Sequence, residues 1–400
     1  MADAAPTTVT AKGAWAPQDD GPHHVLGPGA YLPVMTLRES ALANNLAVMQ
    51  AFVERHGLLF APHMKTHMAP ALAARQIDAG AWGVTVASVQ QAMVAWEHGI
   101  RHLLVANEVL DPAGLAWLGT RASVDDTADV LVYVDSAAGV RAAAEAPDTA
   151  QVLVEVGFPG GRTGARTAET ALEVARAAHD AGLVVRGVSG YEGGLPTVAA
   201  AREYVAGVLE IAGRLDAEGL VTGPRTIVSM GGSAYFDAVA GALETRGDRI
   251  DVVLRSGAYL THDDGTYEQR TPFHRIPEEG ALLPAIEIWA RVVSTPEPGL
   301  ALAAVGKRDA PFDEGLPMVR SVRPGGTAEA RPAARDPQGL TVTRMDDQHA
   351  YLAVPDGARL APGDVVVLGI SHPCTAFDKW RQVHVIDDAD VVVDTIATWF

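Results

Sequence analysis

From about Leu58 to Leu254 the chain alternates between short, continuous apolar runs and alanine-rich segments with helical spacing. The runs are Leu59–Ala61, Gly83–Val86, Leu103–Val105, Val130–Val134, Val152–Val156, Val184–Val188, Thr226–Ser229 and Val252–Leu254. A strand that is apolar along its whole length, rather than at every second residue, is covered on both faces. The intervening helices supply the cover, so the sheet is expected to be parallel. Eight such units in roughly 200 residues match a closed (β/α)8 TIM-like barrel. An open doubly wound sheet is the competing arrangement. The strand number, and the lack of an early Gly-x-Gly-x-x-Gly turn, favour closure.

Ahead of the barrel, Glu39–Arg55 places Leu42, Leu46, Met49 and Phe52 on one helical face. After about Phe273 the texture changes: proline becomes frequent and helical periodicity fades. Ile286–Val293, Leu340–Thr343 and Val365–Ile370 read as strands of a C-terminal antiparallel β domain. Pro324–Pro337 reads as a loop. Pro362-Gly363-Asp364 reads as a turn feeding a strand that ends at His372.

Composition excludes several classes of partner. A formal charge of −18 on 400 residues disfavours polyanions, so nucleic acid and anionic membranes are not expected ligands. No apolar run approaches the ~18 residues of a membrane span. Residues 1–17 lack the apolar centre of a signal peptide, which makes the cytoplasm the expected location. A single cysteine, Cys374, precludes an intrachain disulfide framework.

The chemistry concentrates at strand ends. Lys65 follows the first barrel strand, after the apolar approach Leu58-Leu59-Phe60 and between His63 and His67. Barrel active sites lie on that face, and a partly desolvated lysine can form a Schiff base. The plain alternative is a solvated loop lysine. Met230-Gly231-Gly232-Ser233 follows the seventh strand and Arg255-Ser256-Gly257-Ala258 the eighth, where barrels commonly cradle phosphate on backbone N–H groups. Either loop alone could be an ordinary turn. Arg162, in the glycine-rich turn after the fifth strand, could pair with a cofactor or with Glu155; Tyr191, after the sixth, could stack or donate. His372 and Cys374 are two apart, so on a strand they would face the same side. Such a pair can hold part of a metal shell, with water or substrate completing it. The alternative is a core cysteine beside a turn histidine.

Pro62-His63-Met64-Lys65-Thr66-His67 resembles the Pro-His-x-Lys-Thr-His signature of the D-serine dehydratase and D-threonine aldolase group. These are fold-type III pyridoxal 5'-phosphate enzymes related to alanine racemase. The likeness extends through Gly83–Ser88, Gly161-Arg162-Thr163-Gly164, Gly231-Gly232-Ser233, Leu254–Tyr259 and His372-Pro373-Cys374. It implies a cofactor-binding barrel over residues 38–272. Residues 1–37 and 273–400 would form the β domain that carries the metal site, and the assembly would be a homodimer. By the same resemblance Lys65 is the Schiff-base lysine, and Gly231, Gly232, Ser233, Gly257 and Ala258 hold the phosphate. Arg162 and Tyr191 lie near the pyridine ring, while His372 and Cys374 bind a divalent metal.

The implied substrate is a D-β-hydroxy amino acid such as D-serine or D-threonine. Dehydratase-like members tend to carry His-x-Cys and aldolases His-x-Asp, so Cys374 leans toward dehydration and toward zinc over manganese or magnesium. The expected products are a 2-oxo acid and ammonia. Retro-aldol cleavage to glycine and an aldehyde would need a base at the hydroxyl, with His63, His67 and His262 as candidates. A racemase, or a non-catalytic protein that handles the cofactor, are the remaining alternatives. Asp263, His262 and Asp309 are candidates for shaping the substrate pocket.

Overall fold

A computed structural model describes residues 12–14, 23–125, 127–146, 151–243, 247–325 and 334–400. Strand β1 (Val34–Arg38) leads into helix α1 (Glu39–Arg55), the helix expected from the spacing of Leu42, Met49 and Phe52. Eight barrel strands follow: β2 (Leu59–Phe60), β3 (Val84–Val86), β4 (His102–Glu108), β5 (Asp129–Val134), β6 (Gln151–Val156), β7 (Val184–Gly190), β8 (Thr226–Met230) and β9 (Ile250–Leu254). Each overlaps one of the apolar runs.

All ladders in this sheet are parallel, in the order β2-β9-β8-β7-β6-β5-β4-β3. The seam between β2 and β3 is joined by Trp82 N–H to Phe60 O (2.8 Å), by Thr85 N–H to Pro62 O (2.9 Å) and by a bridge from His63 to Thr85. The barrel is therefore nearly closed, and the seam leads straight to Lys65. Alternate strand residues divide between two layers. Leu104, Leu131, Tyr133, Leu153, Ile227 and Val253 pack inside the barrel. Their neighbours Leu103, Val105, Val130, Val132, Val152 and Val228 pack outward under the helices.

Polar capping residues set where the helices begin. Ser88, Asp111, Ser136, Thr167 and Thr197 each accept a backbone N–H from three residues on. The capping oxygen satisfies a donor that the first helical turn would otherwise leave open. No helix among the described residues is long and apolar enough to cross a membrane.

The second sheet contains β1 with β10 (Ile286–Glu297), β11 (Leu300–Ala303), β12 (Met318–Arg323), β13 (Thr341–Met345), β14 (Ala350–Ala353), β15 (Val365–Gly369), β16 (Gln382–Ile386) and β17 (Val392–Ala397). It is antiparallel except where β1 runs parallel to β16. Strand β1 thus belongs to this sheet although it precedes the barrel in sequence. Its Thr36 hydroxyl accepts a hydrogen bond from the buried Trp289 indole at 3.0 Å. Most of the N-terminal arm expected there, residues 1–11 and 15–22, lies outside the described residues, as does 326–333 of the Pro324–Pro337 loop.

One expectation fails. The strand does not run to His372: β15 stops at Gly369, and Pro373–Thr375 forms a 3-10 turn. Proline has no N–H for the ladder and suits the first position of a helical turn. Period-two geometry therefore does not explain the pairing of His372 with Cys374.

Candidate active site

The chain leaves β2 at Phe60, and Met64–Thr66 forms a 3-10 turn whose Met64 side chain is fully buried. Lys65 is thereby held at the C-terminal mouth of the barrel. It lines a cavity of about 500 Å3 together with His63, Arg162, Tyr191, Gly232, Ser233, Arg255, Gly257, Ala258, Tyr267, His372 and Cys374. Except for Gly231, which lies behind Gly232, the residues singled out for cofactor or metal binding converge here. Burial pushes the Lys65 ammonium down; Cys374 opposes that push, and Arg162 and Arg255 add to it.

The three candidate histidines separate. His63 lines the cavity and is held well below its ordinary value by burial, then by Lys65 and Arg255. His67 is buried, accepts the Ala69 N–H at 3.0 Å and is pushed down to about 4 by burial. His262 is buried outside this cavity, with Nε2 2.9 Å from Glu268. Asp309 is held by Lys12 at 2.6 Å and by the Gly306 N–H, also away from the cavity. Asp263 accepts the N–H groups of Gly265 and Tyr267, and burial pushes it up to about 6.

The glycine loops are not equivalent. The buried Glu192 carboxylate accepts the N–H groups of both Gly231 and Gly232. Gly231 has φ +89°, and a Cβ there would meet Leu254 at 2.2 Å. The N–H groups of Ser233, Gly257 and Ala258 donate to no acceptor among the described residues, and all three residues line the cavity. Three open donors beside Lys65 and two guanidinium groups fit a phosphorylated aldehyde such as pyridoxal 5'-phosphate. Glu192→Ala is expected to leave the two glycine donors unsatisfied, lowering stability by ~1–3 kcal/mol and weakening cofactor retention. Thermal unfolding and a cofactor titration check this.

Arg162 sits 4.8 Å over the Tyr191 ring. Glu155 accepts from the Thr163 hydroxyl at 3.0 Å rather than pairing with Arg162. Arg255 is buried; it donates to the Tyr133 hydroxyl at 2.8 Å and to the Gly190 carbonyl.

On the opposite side, Asp264 N–H donates to Ile370 O (2.9 Å) and Thr266 N–H to Ser371 O (2.8 Å). These bonds hold the segment carrying His372 against the loop that follows the barrel. His372 Nδ1 pairs with Asp313 at 2.8 Å, and Asp313 also accepts from the Thr375 hydroxyl at 2.8 Å. With Nδ1 held by the carboxylate, Nε2 is the nitrogen available for a ligand. Burial opposes protonation of His372, but Cys374 and Asp313 outweigh it and hold the imidazole up to about 9. The Cys374 thiol lies 3.9 Å from the Thr66 hydroxyl. Among the described residues no group of three or more His, Cys, Asp or Glu forms a closed metal shell. One thiol and one imidazole oriented by a carboxylate fit a divalent ion that keeps open positions.

Sequence reasoning did not single out Glu192, Tyr267 or Asp313. Glu192 directly follows Tyr191, which the sequence does single out. Nothing local marks the other two.

A carboxyl pair flanks the site. Glu108, ending β4, lies 3.4 Å from the Ser136 hydroxyl and faces Asp135, whose carboxylate accepts the Gly164 N–H at 2.8 Å. Burial first, then Asp135, push Glu108 from 4.5 up to about 7. A carboxyl raised in this way binds more protons folded than unfolded. Its stabilisation is full below the unfolded value and is lost as pH rises through the folded one. Glu108→Gln is expected to flatten stability between about pH 5 and 7 and to raise it above pH 7 by ~1–2 kcal/mol, partial exposure reducing the effect. Thermal unfolding as a function of pH reads the result.

A lysine at the mouth of a (β/α)8 barrel, facing a histidine–cysteine pair at the edge of a C-terminal β-sheet domain, defines an alanine racemase-like architecture. The chain belongs to the family described as "Alanine racemase, N-terminal domain", which it matches over residues 37–260; residues 285–386 match the "Putative serine dehydratase domain". It is 30% identical over 380 residues to the D-threonine aldolase of an Arthrobacter species, covering 90% of each chain. In structure it is similar to the D-threonine aldolase of Filomicrobium marinum (TM-score 0.75, 24% identity, 92% of this chain and 95% of the other). It is also similar to the D-threo-3-hydroxyaspartate dehydratase of a Delftia species (TM-score 0.74, 23% identity, 94% and 99%).

Proposed function

We propose that the protein is a lyase of D-β-hydroxy amino acids that uses pyridoxal 5'-phosphate and a divalent metal, and that it dehydrates D-serine or D-threonine to a 2-oxo acid and ammonia. The observation that carries this reading is one cavity holding Lys65 together with His372 and Cys374. Bound there, the cofactor would supply an electron sink for charge developing at Cα, and the metal a Lewis acid for the β-oxygen.

The chain's own groups have distinct roles in this reading. The N–H groups of Ser233, Gly257 and Ala258 hold the phosphate, and the Glu192 clamp fixes the loop from which Ser233 projects. Arg162, stacked on Tyr191, would lie with it near the cofactor ring. Lys65, its ammonium destabilised by burial, forms the link to the cofactor and removes the Cα proton. His372 and Cys374 hold the metal, with Asp313 orienting the imidazole. A thiolate donor favours zinc. A solved cysteine-to-alanine variant of a D-threo-3-hydroxyaspartate dehydratase is described as metal-free, and a histidine-to-alanine variant two positions away has also been solved, the spacing of His372 and Cys374. The reading includes a homodimer acting in the cytoplasm.

Retro-aldol cleavage is the second reading, favoured by His63, the one of the three histidines that lines the cavity. Its imidazole is a weak base because burial and three neighbouring cations, Lys65, Arg255 and Arg162, disfavour its protonation. Product analysis with D-serine and D-threonine, cofactor and zinc tests the choice. Oxo acid and ammonia, lost on chelation, are expected. Glycine and acetaldehyde from D-threonine would overturn dehydration in favour of cleavage.

A further inference from the structure

We propose that Tyr267 is the proton donor to the departing β-hydroxyl; this assignment rests on the dehydratase reading above. Tyr267 lies on the short helix Thr266–Arg270 that follows the barrel. The buried Asp263 carboxylate accepts the Gly265 N–H at 2.8 Å and the Tyr267 N–H at 3.0 Å, which fixes the start of that helix. The bonds that tie Asp264 and Thr266 to Ile370 and Ser371 hold this helix beside the histidine–cysteine segment. The Tyr267 ring is consequently 5.9 Å from the His372 ring, tilted at 48°.

Its side chain lines the cavity that holds both Cys374 and Tyr191. The phenol therefore shares one cavity with the histidine–cysteine pair and with Tyr191. A β-substituent would occupy that space. The Tyr267 hydroxyl has no hydrogen-bond partner among the described residues, whereas those of Tyr133, Tyr204 and Tyr259 are engaged with Arg255, Val156 and Gln76. Tyr267 is half-buried and lines the cavity, so its open hydroxyl is placed to bond a ligand oxygen.

The step balances without a further reactant. Lys65 takes the Cα proton, and the electron pair of the Cα–H bond becomes the Cα=Cβ bond. The Cβ–O bond breaks with its pair on oxygen, and the Tyr267 O–H gives that oxygen its proton, so it leaves as water. The proton held by Lys65 returns through solvent to the phenolate. The net change is loss of one water; the resulting enamine tautomerises and is hydrolysed to the oxo acid and ammonia.

Leaving-group dependence tests this, because chloride departs without a proton and hydroxide does not. Holoenzyme and Tyr267→Phe are compared on D-serine and on β-chloro-D-alanine. The variant is expected to lose ~10²–10⁴-fold in kcat/KM on D-serine and less than ~10-fold on β-chloro-D-alanine. Equal losses on both substrates would reduce Tyr267 to a structural role and overturn the proposal, as would an unimpaired rate on D-serine. If the wild type eliminates chloride but dehydrates no D-β-hydroxy amino acid, or cleaves D-threonine to glycine, the dehydratase reading itself fails and the assignment goes with it. Retained chloride elimination in the variant shows that it is folded and loaded with cofactor.

Discussion

Lys65→Ala is expected to abolish turnover of D-β-hydroxy amino acids, by ~10⁴-fold or more, and to remove the absorbance of a covalently held cofactor. Two functions meet at this amine. In the proposed reading it would supply the covalent link and take the Cα proton, a role worth ~10²–10⁴-fold by itself. Its setting serves both. Burial disfavours the ammonium, Arg162 and Arg255 add positive charge nearby, and Cys374 only partly offsets them. More of the nucleophilic free amine is therefore present at neutral pH than on a solvated lysine. The phosphate contacts proposed for Ser233, Gly257 and Ala258 would remain in the variant, so the cofactor should still bind, reversibly and without the covalent signature. A variant that kept both activity and that absorbance would show that another amine is used.

His372→Ala and Cys374→Ala should each empty the metal site while leaving the cofactor absorbance intact. If these are the two protein donors, as proposed, loss of either leaves a single ligand, too few to retain a divalent ion at ordinary concentrations. In the proposed dehydration a Lewis acid would contribute several kcal/mol to breaking the Cβ–O bond, so the rate is expected to fall by ~10²–10⁴-fold. Asp313→Asn should weaken metal affinity by a smaller factor, about 10–100-fold, because it loosens the orientation of His372 and removes no donor. Metal content after dialysis, measured beside the cofactor spectrum, separates these outcomes from general unfolding. Full metal retention in either alanine variant would disqualify the pair as ligands.

Much of the fold was readable locally. The barrel strands appear as continuous apolar runs because each is covered on both faces, and that demand falls on the strand's own residues. Lys65 was legible for a related reason: a lysine directly after an apolar strand of such a barrel must emerge at its C-terminal mouth. The pairing of His372 with Cys374 was found for a partly wrong reason. They share the cavity, but through a proline-initiated 3-10 turn and not through strand alternation. The glycine loops were placed correctly after β8 and β9, yet which amides stay open depended on Glu192, about forty residues upstream.

The sequence by itself determined the eight-strand barrel, the later change to β structure, and the grouping of reactive residue types at strand ends. Those are consequences of burial patterns repeated within windows of ten to twenty residues. The resemblance assigned residues 1–37 to the β domain, but only the tertiary structure decided that β1 lies between β10 and β16, since a strand's partners are not encoded in its own alternation. It also decided that Asp313 reaches His372 across 59 residues, that His67 and His262 are excluded from the cavity while His63 is admitted, and that Tyr267 stands against the metal pair. Each of these depends on which loops converge after folding. A hydrogen bond or a shared cavity between distant segments leaves no periodic trace in either one.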